Sequence, residues 1–193
     1  AQIRSLVNKG PNRVAPLTIP MSISNIASGA IAIKFGLLGS SFSITSACAS
    51  STHCIGEAYR NIKDGYSDII FAGGSEASIC EFGISSFQSL TALSKSEDRN
   101  RASIPFDLNR NGFVMGEGAG VLILEDLESA LKRGAKIYCE IVGYGTTSDA
   151  YHITSPCPDG NGAYRCMRDA MADASVNCTE ISYINAHGTA TEI

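Results

Sequence analysis

Residues 44–51 read Ile44-Thr45-Ser46-Ala47-Cys48-Ala49-Ser50-Ser51. The run over 41–47 reads as an apolar strand, and the small residues after it read as the start of a helix. A strand that turns straight into a helix is the elementary step of a layered α/β protein. A cysteine at that step has a chemical reason to be reactive, because the unsatisfied N–H groups and positive dipole end of a helix stabilise a thiolate. The competing reading is a small packing residue. The other cysteines, at 54, 80, 139, 157, 166 and 178, lack this placement.

The alternation continues on both sides. Residues 23–35 predict a small-residue helix with Ser22 or Ser24 as candidate cap. Beyond Cys48, the spacing of Ile55, Ala58, Tyr59 and Ile62 predicts a helix that stops at Gly65. Residues 68–73 (DIIFAG) form a continuous apolar run, as expected of a strand covered on both faces. The two strands and the helix between them make a candidate right-handed crossover. Gly73-Gly74-Ser75-Glu76 then reads as a tight turn, residues 91–112 as a polar loop, and residues 119–125 (AGVLILE) as another buried strand. Asp126 is placed to cap a short helix with Leu127, Ala130 and Leu131 inward and Gly134 ending it. Residues 137–148 predict a long strand, with bends expected at Gly143 and Gly145. Tyr164, Met167, Met171 and Ala174 mark an amphipathic helix, and residues 182–186 predict a strand that delivers His187 at its end.

Bulk properties narrow the function classes. The 193 residues are 44% hydrophobic and 18% charged, which suits one globular domain with a sizeable core. No apolar run approaches a membrane span and the first residues do not resemble a signal peptide, so neither a membrane role nor secretion is expected. The cysteine spacings contain no CxxC pair, which argues against a disulfide framework or a zinc site and for a reducing, cytoplasmic compartment. A net charge of −4 argues against nucleic acid as a partner. The first residue is Ala1 and the chain stops at Ile193 without a following helix, so a piece of a longer chain is expected.

His187 lies among small and hydroxyl residues in Asn185-Ala186-His187-Gly188-Thr189-Ala190-Thr191, surroundings that suit a hydrogen-bond donor or proton carrier. A structural histidine bonded to a carbonyl is the alternative. Thr189 and Thr191 alternate in a segment expected to be extended, so their hydroxyls would share one face and could bind a polar chain together. His53 points away from Cys48 along the helix and reads as a surface or packing residue. His152 lies in a polar loop, where a binding role and turn chemistry are both open. Gly116-Glu117-Gly118-Ala119-Gly120 precedes a strand rather than opening a helix, so it reads as a close backbone crossing and not as a nucleotide site. Lys95, Arg99, Arg101 and Arg110 are interspersed with acids and read as a solvated face, with docking of an acidic partner as the alternative.

Taken together, these stretches resemble the β-ketoacyl-acyl-carrier-protein synthases, the KAS I/II type of thiolase-fold condensing enzymes. Ser46-Ala47-Cys48-Ala49-Ser50-Ser51 is similar to the nucleophile motif, and Ala72-Gly73-Gly74-Ser75-Glu76 to the glycine segment after it. Pro105-Phe106-Asp107 with residues 110–120 (RNGFVMGEGAG) is similar to the central signature, and Asn185 to Thr191 to the first catalytic-histidine motif. Residues 148–156 (SDAYHITSP) resemble the KAS II form in particular.

The resemblance implies an α/β, thiolase-like layered α/β/α/β/α fold, present here as residues 1–180 of a first half and 181–193 at the start of the second. It implies that Cys48 carries an acyl thioester and that a malonyl unit on acyl carrier protein loses carbon dioxide and attacks it. His187 would donate a hydrogen bond to the developing enolate oxygen, and the Cys48 backbone N–H would serve the acyl oxyanion. Thr189 and Thr191 match the pair that binds the phosphopantetheine arm, Thr154 and Ser155 the mouth of that tunnel, Phe87 an acyl-pocket position, and Asp149 a supporting acid. The arm belongs to the carrier protein, so no cofactor or metal of the chain's own is implied, and a homodimer is expected of the whole protein. The family's second histidine and lysine are expected beyond Ile193. Two other functions stay open: a Cys–His hydrolase, and a non-catalytic subunit shaping the pocket of an active partner.

Overall fold

Two apolar stretches rich in β-branched residues pair with one another. In a computed structural model that describes residues 2–192, strand β1 (Ile69–Glu76) lies antiparallel to strand β2 (Gly118–Glu125), with Ile69 opposite Glu125 and Gly74 opposite Gly120. The chain divides into two compact units, Ala1–Ala47 and Cys48–Ile193.

The first unit holds helix α1 (Gln2–Lys9), a 3-10 turn at Pro11–Arg13 and helix α2 (Ile26–Phe35). Asn25, not Ser22 or Ser24, precedes α2, and Gly36 closes it in the left-handed conformation at φ 66°. The strand expected over 41–47 is absent. A strand is held by a ladder to a neighbour, and no strand among the described residues pairs with this segment. The right-handed crossover expected between it and β1 is therefore not formed.

A 3-10 turn, Ala47–Ala49, crosses from the last residue of the first unit into the second and runs into helix α3 (Ser50–Lys63). Helix α4 (Glu81–Ser89) follows β1, and helix α5 (Leu127–Lys132) follows β2. The last helix, α6 (Asn161–Ala174), precedes a 3-10 turn at Cys178–Glu180. Asp126 caps α5 as expected, its carboxylate accepting from Ser129 N at 3.0 Å. Ala130 is buried, but Leu127 and Leu131 are exposed, which corrects the inward face expected for α5.

Gly73 and Gly74 are not a turn. Both lie within β1, where a Cβ on Gly74 would collide with the Ser51 side chain in the first turn of α3. The close approach expected around Gly116–Gly120 is met from this side: a Cβ on Gly73 would collide with the Gly120 carbonyl, whereas one on Gly116, Gly118 or Gly120 would meet nothing. β2 forms where expected but is not buried, with Ile123 61% exposed.

Residues 137–148 form no strand. Instead the backbone at Gly143 and Gly145 presses onto α6, so close that a Cβ on Gly145 would strike the Cys166 carbonyl. Cys166 Sγ donates to Gly145 O at 3.2 Å and Thr147 Oγ1 to Gly162 O at 2.8 Å. On the other side, Tyr59 OH of α3 donates to Val142 O at 3.0 Å, and the Tyr144 ring packs on Gly56. The amphipathic helix forms where expected, but its packed face runs through Gly162, Cys166, Ala170 and Ala174; of the four residues expected to mark it, Met171 and Ala174 are half-buried while Tyr164 and Met167 are exposed. No described helix is long and apolar enough to cross a membrane.

Candidate active site

Cys48 sits in the 3-10 turn that leads into α3, and its side chain is exposed. Ser51, three residues on, seats the first turn of α3 against Gly74 near the end of β1, so the sheet fixes where the cysteine is presented. The residue before it, Ala47, has φ 50°. A non-glycine residue in that left-handed region is held there by its surroundings at some cost, which concentrates at working sites. All seven cysteines are free thiols.

His187 is exposed in a segment without regular secondary structure, so the strand expected over 182–186 is absent. No hydrogen bond joins Cys48 to His187 among the described residues. His53, read as a surface or packing residue, lies against Thr146 Oγ1 at 3.0 Å and edge-on to the Tyr144 ring.

Thr189 and Thr191 are brought together. Their hydroxyl oxygens lie 2.6 Å apart, with both residues half-buried. One hydroxyl donates to the other, so the pair presents a single remaining O–H donor outward together with acceptor lone pairs. The segment between them is not the extended strand expected: Ala190 is buried with φ 61°. The cause lies at residues 105–113. Gly112 N donates to Ala190 O at 2.7 Å, Arg110 Nε to Thr191 O at 2.8 Å, and Arg110 Nη2 to Glu192 O at 3.2 Å. Gly188 rests on the Phe106 ring and Pro105 so closely that a Cβ there would lie 2.6 Å from the ring.

Arg110 is thus half-buried, with each of its three guanidinium nitrogens bonded to a carbonyl, which corrects its place on a solvated face. Another member of that cluster, Arg101, makes an ion pair in the same loop, with Asp107 at 3.1 Å. The Asp107 carboxyl is held below the usual carboxylate range, first by the Asn109 N–H and then by Arg101.

Phe87 of α4 reaches the same region. Its ring meets Phe113 edge to face at 5.3 Å, and Phe113 N donates to Ala92 O. The Gly112–Phe113 peptide therefore connects Phe87 on one side with the threonine pair on the other.

Asp149, Thr154 and Ser155 form a separate group. Asp149 Oδ2 accepts from Cys157 N at 2.8 Å, closing the 149–157 loop, and its other oxygen packs against Gly162 in the first turn of α6. His152 Nδ1 accepts from the Thr154 and Ser155 N–H groups at 3.2 and 3.1 Å, so His152 shapes the turn that presents them. Asp159 bonded to Cys157 pushes that thiol up. Among the described residues, no three His, Cys, Asp or Glu side chains gather as a metal-ligand cluster.

Comparison with known proteins places these features in a family. Residues 1–130 match the family model described as "Beta-ketoacyl synthase, N-terminal domain", and residues 138–193 match "Beta-ketoacyl synthase, C-terminal domain". A 3-oxoacyl-[acyl-carrier-protein] synthase 2 of Staphylococcus aureus is 48% identical over 98% of this chain and 47% of its own length. The chain thus spans about half the length of the curated relatives it matches. Among solved structures, a ketosynthase in complex with its type II PKS acyl-carrier protein and bound to the hexaketide superposes with TM-score 0.91, at 38% identity over 95% of this chain and 45% of that one. A β-ketoacyl synthase from Burkholderia phymatum STM815 gives TM-score 0.89, at 34% identity over 99% of this chain and 47% of that one.

Proposed function

The chain belongs to the β-ketoacyl synthase family, and from that membership we propose that it carries the acyl-accepting part of a decarboxylative condensing enzyme of fatty-acid elongation. Cys48 accepts an acyl group from acyl carrier protein as a thioester. A malonyl unit on a second carrier loses carbon dioxide. The carbanion left behind attacks the acyl carbonyl, a carbon–carbon bond forms, and the Cys48 thiolate departs, leaving the chain two carbons longer.

His187 donates a hydrogen bond to the enolate oxygen as carbon dioxide leaves, and the Cys48 N–H serves the oxyanion of the attacked carbonyl. Thr189 and Thr191 hold the phosphopantetheine arm through their outward O–H and lone pairs. Thr154 and Ser155 line its entrance, Phe87 contacts the acyl chain, and Asp149 braces the loop that carries Thr154 and Ser155. The arm is the carrier's, so the chain needs no cofactor of its own. We take residues 181–193 as the start of the second half of the fold, and the whole enzyme as a cytoplasmic homodimer.

The observation that supports this most directly is an exposed Cys48 at a strained turn opening a long helix, in a chain 48% identical to a 3-oxoacyl-[acyl-carrier-protein] synthase 2. The test uses a protein that carries this chain at the full length of its relatives. Cys48→Ala is expected to abolish acyl-enzyme formation, followed by mass spectrometry, and elongation with it. Elongation at the parent rate would remove the nucleophile. His187→Ala is expected to slow malonyl decarboxylation by about 100-fold, the scale of a lost oxyanion donor. Hydrolysis of acyl thioesters outpacing condensation in the parent would favour a Cys–His hydrolase, and inert Cys48 towards acyl thioesters would favour a non-catalytic subunit.

A further inference from the structure

The histidine–threonine segment has no secondary structure of its own to hold it. Among the described residues, the main-chain partners that Gly188, Ala190, Thr191 and Glu192 find outside the segment lie in one loop, residues 105–113. That loop uses three devices: apolar contact of Phe106 and Pro105 with Gly188, the Gly112 N–H on Ala190 O, and the Arg110 guanidinium on Thr191 O and Glu192 O. The third is the unusual one. Arg110 also donates from Nη1 to Asp107 O at 3.2 Å, so its planar fork joins three carbonyls from two segments more than 80 positions apart in the chain. Asp107 is itself held by the Asn109 N–H at 2.8 Å and by Arg101. A lysine could supply charge here but not three donors in a fixed plane.

Resting on the function given above, we propose that Arg110 is a positioning residue: by gripping the carbonyls after Thr189 it sets the register of the threonine pair and of His187 against the nucleophile. It touches neither substrate nor Cys48. Its loss therefore affects the step that needs His187 and the threonines and spares the step that needs Cys48 alone. A misplacement of about 1 Å in a reacting constellation can cost about 100-fold, which sets the scale of the effect.

The experiment compares the two partial reactions in the full-length enzyme and in its Arg110→Lys and Arg110→Gln variants. Acylation of Cys48 by a small acyl thioester such as an acyl-N-acetylcysteamine, which lacks the long arm, is expected to stay within about 2-fold. Malonyl-carrier decarboxylation is expected to fall by about 10- to 100-fold, with Lys giving little rescue. Hydrogen exchange at the Gly112 and 188–192 amides is expected to rise, while that of α6 does not. An equal fall in both partial reactions indicates a general structural role and overturns the proposal, as do unchanged decarboxylation or unchanged exchange at Gly112. A parent enzyme that neither acylates Cys48 nor decarboxylates malonyl-carrier would sink the functional reading instead, and the exchange measurement would still decide whether Arg110 holds the segment.

Discussion

At Gly112 the φ angle is 130°, and a Cβ would stand 2.6 Å from both the Ala92 carbonyl oxygen and the Leu93 carbonyl carbon. Both obstacles are main chain and cannot swing aside. Gly112→Ala is expected to destabilise the fold by about 2–4 kcal/mol, the sum of backbone strain and overpacking. Gly118→Ala, where a Cβ would meet nothing, serves as the control. Denaturant midpoints measure both, and equal midpoints for the two variants would show that Gly112 has room to spare. Two residues earlier, Arg110 is one that the sequence misplaced. Its surroundings in the chain are charged, which reads as a solvated face, but two of the three carbonyls it binds lie 81 and 82 positions away. No local window contains them. Cys48, by contrast, is legible locally, because the helix that follows it is written in the next fourteen residues.

Between elements, a polar knot joins α3 to α6. Lys63 Nζ lies 2.6 Å from Asp173 Oδ1 and 2.9 Å from Tyr59 OH, while Asp173 Oδ2 accepts from Tyr144 N at 3.0 Å. The Asp173 carboxyl is held below the usual carboxylate range, chiefly by Lys63 and then by the Tyr144 N–H. Lys63 is held above its usual range, chiefly by Asp173 and then by Tyr59.

The sign of the pH dependence follows. A depressed folded pKa contributes stability above the unfolded carboxyl value of about 3.9, and that contribution is lost as pH falls through the lower folded value. Asp173→Asn is therefore expected to lower the urea midpoint at neutral pH, with the difference from the parent shrinking as the pH falls to about 2. A difference independent of pH would show that the charge contributes nothing. The helices at this scale follow from 3.6-residue periodicity and end signals such as Gly65 and Asp126. Strands are less local: residues 41–47, 137–148 and 182–186 all have strand-like composition, yet among the described residues only the β1–β2 pair forms a ladder. A strand depends on its partner, and composition does not supply one.

For the whole molecule, the apolar side chains of β2 stand open. Val121, Leu122 and Ile123 are 48%, 51% and 61% exposed, and the buried hydrophobic residues are mostly alanines. Contiguous exposed apolar surface binds dyes and drives association. The 193-residue chain alone is expected to enhance the fluorescence of a hydrophobic dye and to sediment as species larger than its 20.3 kDa. A dye-silent monomer would show that the β2 face is covered in solution. The composition of 119–125 suits burial on both faces, whereas Val121 and Ile123 on one face and Leu122 on the other all stand exposed.

The amino-acid sequence alone determined the α/β character, the positions of α2, α3, α5 and α6, strand-like segments that include β1 and β2, and the candidates Cys48, His187, Thr189 and Thr191. All of these depend on residues within a few positions of one another. Only the tertiary structure decided that β1 and β2 run antiparallel, that Gly143 and Gly145 press on α6, and that residues 105–113 hold the histidine–threonine segment. Those outcomes depend on groups far apart in the chain meeting at one place, where the geometry of a carbonyl and a guanidinium matters more than their neighbours in sequence.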